Sequence, residues 1–307
     1  MLQSPYVTYI IVTWNNEKEI FNCLNTLKKY TKTRYNVFIV DNESSDRTVD
    51  ICKKFNFITL IESGGNIGFA AANNIALSRV KTEYVCFLNP DVVLTEDIIE
   101  TQINVLEKDV KVGLTSCCLL NSDASFQKSY FNFLTPFEIF SEIMHLGKIV
   151  PNFLRRKYFQ SYYQCRSQFS PDWVIGAEMV MRTSEAKQIG GFSEDYFMYT
   201  EDMDLCMKVR RILGKTIKYI PEVSLIHLGG ASETQNVSYK KQNKVFENLK
   251  QFNRKFYGKN GNAILMSAMT AALMRGVLLK LFYFKKDRQV QIDKTHSIWL
   301  SAKYCLF

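Results

Sequence analysis

Residues 83–92 read EYVCFLNPDV, an apolar run of strand length that stops at Asn89-Pro90-Asp91. A proline has no N–H for a sheet ladder, so the strand ends there and the chain turns. Taken alone, the tripeptide is either an ordinary proline turn or a carboxylate presented rigidly enough to serve a divalent ion. What flanks it decides between these.

Similar β-branched or aromatic runs occur at 6–13, 36–41, 57–62 and 112–120, and amphipathic helical patterns separate them. This alternation predicts an α/β fold with a mostly parallel central sheet and helices on both faces. Ile20, Leu24 and Leu27 share one helical face, which predicts a helix over 17–30 capped by Asn15 or Asn16. Further helices are expected from about Ser45, Gly68 and Thr95. Beyond residue 170 the pattern predicts a strand over 173–181, a turn at Gly190-Gly191-Phe192, a helix over 201–213 and short strands over 216–228.

Composition narrows the class. The chain has 307 residues, 47% of them hydrophobic, as expected for a globular protein with one large domain and an appendage. The net charge of +9 is unevenly placed: residues 236–307 hold 14 Lys and Arg against three acids, while residues 1–235 are nearly balanced. The anionic partner of such a tail is a nucleic acid or a membrane surface, and no nucleic-acid-reading motif accompanies the charge. Eight scattered cysteines without metal-ligand spacing point to a reduced compartment. The N-terminus lacks a basic segment before its short apolar stretch, so it reads as a first strand and the expected location is cytoplasmic.

Ligands of open α/β sheets bind beyond the carboxyl ends of the strands. Here those ends carry Thr13, Asn15 and Glu17, then Asp41, Asn42 and Ser44, then Gly64, Gly65 and Asn66, then Asn89 and Asp91. A turn explains any one of these loops, but four polar strand ends describe a crevice. The glycines of GGNIGF lack dinucleotide-fingerprint spacing and follow the third strand, which disfavours hydride transfer. The segment WNNEKE after the first strand is no triphosphate loop, which disfavours nucleotidyl transfer. Glu201 and Asp202 begin an amphipathic helix, where acids serve as dipole partners or, in a stretch as aromatic as GGFSEDYFMYTED, as a base for a hydroxyl. His227 ends the run YIPEVSLIH, where an imidazole is either structural or a metal ligand.

Together VTWNNEKEIFNCLNTL, FIVDNESSDRTV, GGNIGFAAANN, FLNPDVV, GGFSEDYFMYTEDMDLCMKVRRILGK and IHLGGAS resemble the family 2 glycosyltransferases over about residues 6–235, with six motifs in order. The nearest likeness is to the rhamnosyltransferase-like branch, which shares the Asn-Pro-Asp form. The resemblance implies a GT-A-type nucleotide-diphospho-sugar transferase fold, Mg²⁺ or Mn²⁺, and inversion at the anomeric carbon. It places Thr13, Asn15, Glu17, Asp41, Asn66, Asn89 and Asp91 at the nucleotide sugar and Asp91 at the metal, with His227 the candidate second metal ligand. Trp173, Gly176 and Glu201 fall on the acceptor side, and Asp202 is the base. Where the commoner family form has three acids, this chain has Asn89, Pro90 and Asp91. Pro90 cannot contact a ribose hydroxyl, so a deoxythymidine donor such as dTDP-L-rhamnose is expected. A UDP-dependent hexosyl or galactofuranosyl transferase is the alternative within the class, and a non-catalytic nucleotide-sugar-binding or membrane scaffold protein is the alternative outside it.

The expected organisation is a transferase domain over 1–235, with a nucleotide half (1–120) and an acceptor half (121–235) carrying an aromatic, basic insertion at 122–170, followed by a basic helical extension over 236–307. Within the extension, 263–284 reads AILMSAMTAALMRGVLLKLFYF. A spanning helix would bury Arg275 and Lys280 at about 2.5–3.5 kcal/mol each at mid-bilayer. A buried core helix is one alternative; a helix lying in the plane of an anionic membrane also avoids this cost, is the favoured reading, and suits a saccharide or lipid-linked saccharide acceptor of cell-surface polysaccharide assembly.

Overall fold

The computed structural model describes residues 6–151, 155, 159, 165–229, 238–283 and 285–306. Two compact units emerge: Met1–Phe131 with Gln164–Gln235, and Asn132–Tyr163 with Asn236–Phe307. Part of the 122–170 stretch thus groups with the C-terminal helices, because its aliphatic side chains pack there. Most of NFLRRKYFQSYYQ (152–164), residues 230–232 and the start of the basic extension at 236–237 lie outside the described residues.

The first unit is built on an eight-stranded sheet. Its strands are β1 (Val7–Thr13), β2 (Tyr35–Asp41), β3 (Ile58–Glu62), β4 (Tyr84–Leu88), β5 (Val92–Leu94), β6 (Val112–Leu120), β9 (Glu178–Arg182) and β10 (Thr216–His227), in the order β3-β2-β1-β4-β9-β6-β10-β5. The parallel pairs β1–β2, β2–β3, β1–β4 and β6–β10 are interrupted by antiparallel β9 and closed by antiparallel β5. Two short strands, β7 (Tyr130–Phe131) and β8 (Trp173–Val174), pair separately. Every residue of β1 and β4 is buried, which is why those segments read as continuous apolar runs.

Several boundaries depart from expectation for local reasons. Helix α1 spans Ile20–Tyr30, not 17–30, because residues 17–19 form a turn in which the Asn16 carbonyl accepts the Glu19 and Ile20 amides. Neither Asn15 nor Asn16 caps it through a side chain; Asn16 Oδ1 accepts from the Trp14 amide instead. Helix α2 is only Thr48–Cys52, since Asp46 Oδ1 binds the Thr48 amide and hydroxyl and delays the start. Helix α3 runs Phe69–Arg79, α4 runs Ile99–Lys108 with Asp97 accepting from its first amide, and α7 (Thr183–Gln188) follows β9. The single strand expected at 173–181 is split at Gly176 into β8 and β9. The short strands expected over 216–228 are one strand with an irregular register between Ile220 and Ser224.

The second unit contains α5 (Pro136–Met144), α6 (Leu146–Ile149), α9 (Ser238–Tyr257), α10 (Asn262–Phe282) and α11 (Arg288–Leu306). One side of α10 is buried through Ile264, Leu265, Ala268, Ala271, Ala272 and Leu279. Arg275 also turns inward, donating to the Ile143 carbonyl at 2.7 Å and to Gln291 Oε1 at 3.3 Å. The outward side is apolar too: Leu273, Met274, Val277, Leu278, Leu281 and Phe282 are all exposed. By length and composition this is a helix that could cross a membrane.

Candidate active site

The register that pairs Ile10 with Phe87 and Thr13 with Asp41 aligns the ends of β1, β2 and β4 along one edge of the sheet. Thr13 Oγ1 donates to Asp41 Oδ1 at 3.0 Å, and the Ser44 amide (2.9 Å) and hydroxyl (2.6 Å) donate to the same carboxylate. Asn15 adopts a left-handed conformation (φ 54°), and its Oδ1 accepts the Ser45 amide at 2.8 Å. Glu17 faces Arg47 at 3.3 Å, while its amide donates to Asp46. Burial opposes ionisation of Asp46, yet the donors from Thr48 and Glu17 outweigh it and hold the carboxyl below its ordinary range. The two loops are therefore zipped together, and Asp41, Asn15 and Glu17 shape them through their side chains. Asn66 Oδ1 accepts the Gly68 amide at 3.3 Å, and Asn42 Nδ2 donates to the Gly68 carbonyl at 3.1 Å. Asn42 and Ser44 tie this rim together.

Asp91 and His227, 136 positions apart, are brought together by sheet register. Antiparallel β5–β10 pairing sets Val92 opposite His227, and the Leu228 amide donates to the Asp91 carbonyl at 2.9 Å. Asp91 Oδ1 and His227 Nε2 then lie 3.4 Å apart, both largely buried. Among the described residues no cluster of three or more His, Cys, Asp or Glu side chains is placed to hold a metal. One carboxylate and one imidazole nevertheless fit a divalent ion that takes its remaining ligands from phosphate and water. Sequence reasoning missed Gln127, whose Oε1 lies 2.7 Å from His227 Nδ1. No local pattern marks it, since only the β6–β10 pairing of Leu120 with Ile226 brings position 127 near 227.

Asp202 stands in the first turn of α8 (Glu201–Arg211). Its Oδ1 accepts the Met203 amide at 2.7 Å and its Oδ2 the Gly176 amide at 3.2 Å. Loss of solvent pushes its carboxyl up to about 6 despite those two amides. Tyr199 and Thr200, just before it, both have positive φ (72° and 81°), a strain of about 1–3 kcal/mol each that surrounding structure must sustain. Tyr196 donates to buried Asp204 at 3.1 Å and anchors the same helix, a contact the sequence did not reveal. Ala177, next to Gly176, accepts the Asn89 amide at 2.9 Å, so one dipeptide touches both the Asn-Pro-Asp turn and Asp202. Glu201 is buried beside Asp202, and Trp173 stacks on Phe131 with centroids 4.6 Å apart.

Known proteins share this architecture. The chain is 31% identical over 233 residues to the rhamnosyltransferase WbbL of Escherichia coli, covering 72% of this chain and 83% of that one. It is 25% identical over 235 residues to an N-acetylglucosaminyl-diphospho-decaprenol L-rhamnosyltransferase of Mycobacterium tuberculosis, covering 71% and 74%. Among solved structures, the mannosyltransferase PcManGT of Pyrobaculum calidifontis, in complex with GDP-Man and Mn²⁺, superposes with a TM-score of 0.61 at 17% identity, covering 99% of this chain and 88% of that one. GalNAc-T7, with UDP, GalNAc and Mn²⁺, gives 0.61 at 11%, covering 95% and 54%. These likenesses bear out the GT-A-type fold and the rhamnosyltransferase-like branch. The profile described as Glycosyl transferase family 2 matches residues 8–164, and with relatives this similar the chain belongs to family 2 of the glycosyltransferases.

Proposed function

We propose that the protein transfers L-rhamnose from dTDP-L-rhamnose to a polyprenyl-linked saccharide in one inverting displacement that requires a divalent metal. The approach of Asp91 Oδ1 to His227 Nε2, at 3.4 Å beyond the end of β4, carries the reading. These two side chains would hold Mg²⁺ or Mn²⁺, which when bound would supply positive charge to the diphosphate leaving group. Thr13, Asn15, Glu17, Asp41, Asn66 and Asn89 form the rim that receives the nucleoside, with both Asp41 oxygens braced by Ser44. Trp173, Gly176 and Glu201 border the acceptor.

Asp202 acts as the general base. As the acceptor oxygen bonds to the anomeric carbon, the bond from that carbon to the phosphate oxygen breaks, and the hydroxyl proton passes to an Asp202 carboxylate oxygen. A carboxyl raised to about 6 is ionised at neutral pH yet more basic than an exposed one. Two relatives named for rhamnose transfer support the donor sugar, and the one named for a decaprenol-linked substrate supports the acceptor class. The apolar outward side of α10, with Lys280, Lys285 and Lys286 exposed nearby, supports peripheral attachment to the inner face of an anionic membrane, where such an acceptor resides.

Transfer by the purified protein is to be measured with dTDP-rhamnose, UDP-glucose, UDP-galactose and UDP-galactofuranose. Preference for dTDP-rhamnose is expected, and preference for a uridine donor overturns the donor assignment in favour of hexosyl or galactofuranosyl transfer.

A further inference from the structure

We propose that Gln127 is a positioning residue that fixes the tautomer and ring orientation of His227, so that a lone pair on Nε2 faces Asp91. The inference rests, for its link to the metal, on the proposed role of the Asp91–His227 pair.

The orientation of the Gln127 amide follows from acceptors that cannot be anything else. Gln127 Nε2 lies 3.1 Å from the His227 main-chain carbonyl, which can only accept. It also lies 3.0 Å from Asn121 Oδ1. Asn121 is itself oriented, because its Nδ2 donates to the Phe126 carbonyl at 3.4 Å and to Ser125 Oγ at 2.9 Å. Turning the Gln127 amide over would set an oxygen against two acceptors. Its Oε1 is therefore the atom 2.7 Å from His227 Nδ1, and a bond between them requires Nδ1 to carry the hydrogen. In the neutral imidazole Nε2 is then an acceptor, aimed at Asp91 Oδ1. Two acceptors 3.4 Å apart are complementary to a cation.

The mounting is rigid. After β6 the chain turns back on itself, with the Asn121 amide donating to the Ser125 carbonyl at 2.8 Å and the Gln127 amide to the Leu119 carbonyl at 2.9 Å. Asp123 Oδ1 accepts the Ser125 amide and hydroxyl within this turn. A partner on the far nitrogen of a ligating histidine fixes its tautomer and strengthens the ligand, and losing such a partner costs roughly 10–100-fold in metal affinity.

The test uses the full-length protein and two variants. Gln127→Leu removes the acceptor, whereas Gln127→Glu keeps an acceptor for Nδ1 but loses both amide donors. The ¹⁵N shifts of metal-free protein, in a buffer alkaline enough to keep imidazole neutral, report the tautomer. The chain has three histidines, so the spectrum of His227→Gln identifies the resonances of His227. The proposal expects the Nδ1–H form in the parent protein and in Gln127→Glu, and a shift towards the Nε2–H form in Gln127→Leu. Mn²⁺ titrations followed by electron paramagnetic resonance, with dTDP present, are expected to weaken roughly 10–100-fold in Gln127→Leu and to be largely retained in Gln127→Glu.

Unchanged His227 shifts in Gln127→Leu overturn the positioning role and leave the metal reading standing. Equal loss of Mn²⁺ in both variants, with unaltered shifts, also overturns it, because that is the behaviour of a residue that merely braces the strand. If the parent binds no Mn²⁺, the metal reading falls, while the nitrogen shifts still decide what Gln127 does to His227. Thermal unfolding of each variant separates these outcomes from loss of fold.

Discussion

The main-chain amide of Gly176 holds the Asp202 carboxylate at 3.2 Å, at the point where a single expected strand divides into β8 and β9. The division is what frees that amide from the sheet ladder. Because neighbouring Ala177 pairs with Asn89, the position of Asp202 is referenced to the end of β4. Main-chain amides thereby give the carboxylate a fixed address.

Replacing Asp202 by Asn keeps the shape and removes the proton acceptor. Transfer is expected to fall by about 10²–10⁴-fold, with the dissociation constant for donor nucleotide nearly unchanged. Steady-state transfer assays beside calorimetric donor binding check this. Normal turnover in the variant excludes the role.

The pH profile should carry the same signature. Burial raises the Asp202 carboxyl to about 6, and a base works only when ionised, so kcat/KM is expected to climb as pH rises through about 6 and to level off above it. The acidic limb should disappear in whatever residual activity Asp202→Asn retains. A parent profile that is flat across this range contradicts the assignment.

Removal of the metal should be equally specific. Chelation is expected to abolish transfer and Mn²⁺ to restore it, whereas Asp91→Asn, which loses the charge of one ligand, should need far more Mn²⁺ for half-maximal rate. Activity in the presence of excess chelator would argue against any ion at Asp91.

Gly68 marks a close approach. It adopts φ +89°, and a Cβ there would come within 2.7 Å of the Phe197 carbonyl oxygen. Gly68→Ala is expected to destabilise the fold by about 1–3 kcal/mol, measured as a lower urea midpoint, because the clash is with main chain that cannot rotate away. It should also disturb the segment before Asp202, where Phe197 lies.

Another buried acid lies in the sheet itself. Glu178 is fully buried on β9, accepting from Gln102 Nε2 at 2.7 Å and the Cys117 amide at 2.9 Å where β6 and β9 diverge. Desolvation pushes its carboxyl up to about 7 against those two donors. The folded state therefore binds a proton that the unfolded state releases at the ordinary carboxyl value. Its stabilising contribution is full below that value and is lost as pH rises through about 7. Urea midpoints should drop across this interval in the parent, and Glu178→Gln should flatten the dependence at the cost of one buried hydrogen bond, roughly 1–3 kcal/mol.

The parts of the molecule legible in its sequence are those whose signals are local. The first four parallel strands were readable because each is an apolar run closed by polar residues, and Asp91 stood out because Pro90 ends such a run. Asp202 was readable as an acid in a first turn, although nothing nearby announced that Gly176 would hold it. Three-residue β5 and the insertion of β9 between β4 and β6 left no local trace, since strand order is set by contacts distant in sequence. For the same reason Asp91 and His227 could be suspected singly, but their pairing required the β5–β10 register. Asn15 and Glu17 illustrate a different limit: a polar residue after a strand serves a ligand or its own loop equally well, and here the observed partners are Ser45 and Arg47.

The edge strand β5 has a consequence for assembly. It is three residues long, among the described strands pairs only with β10, and follows directly on Asp91. A ligand gripped by both Asp91 and His227 would therefore rivet the outermost seam, joining a strand made early in synthesis to one made more than a hundred residues later. Occupancy and closure of that seam must strengthen each other, so nucleotide and ion together would act as the clasp that finishes the sheet.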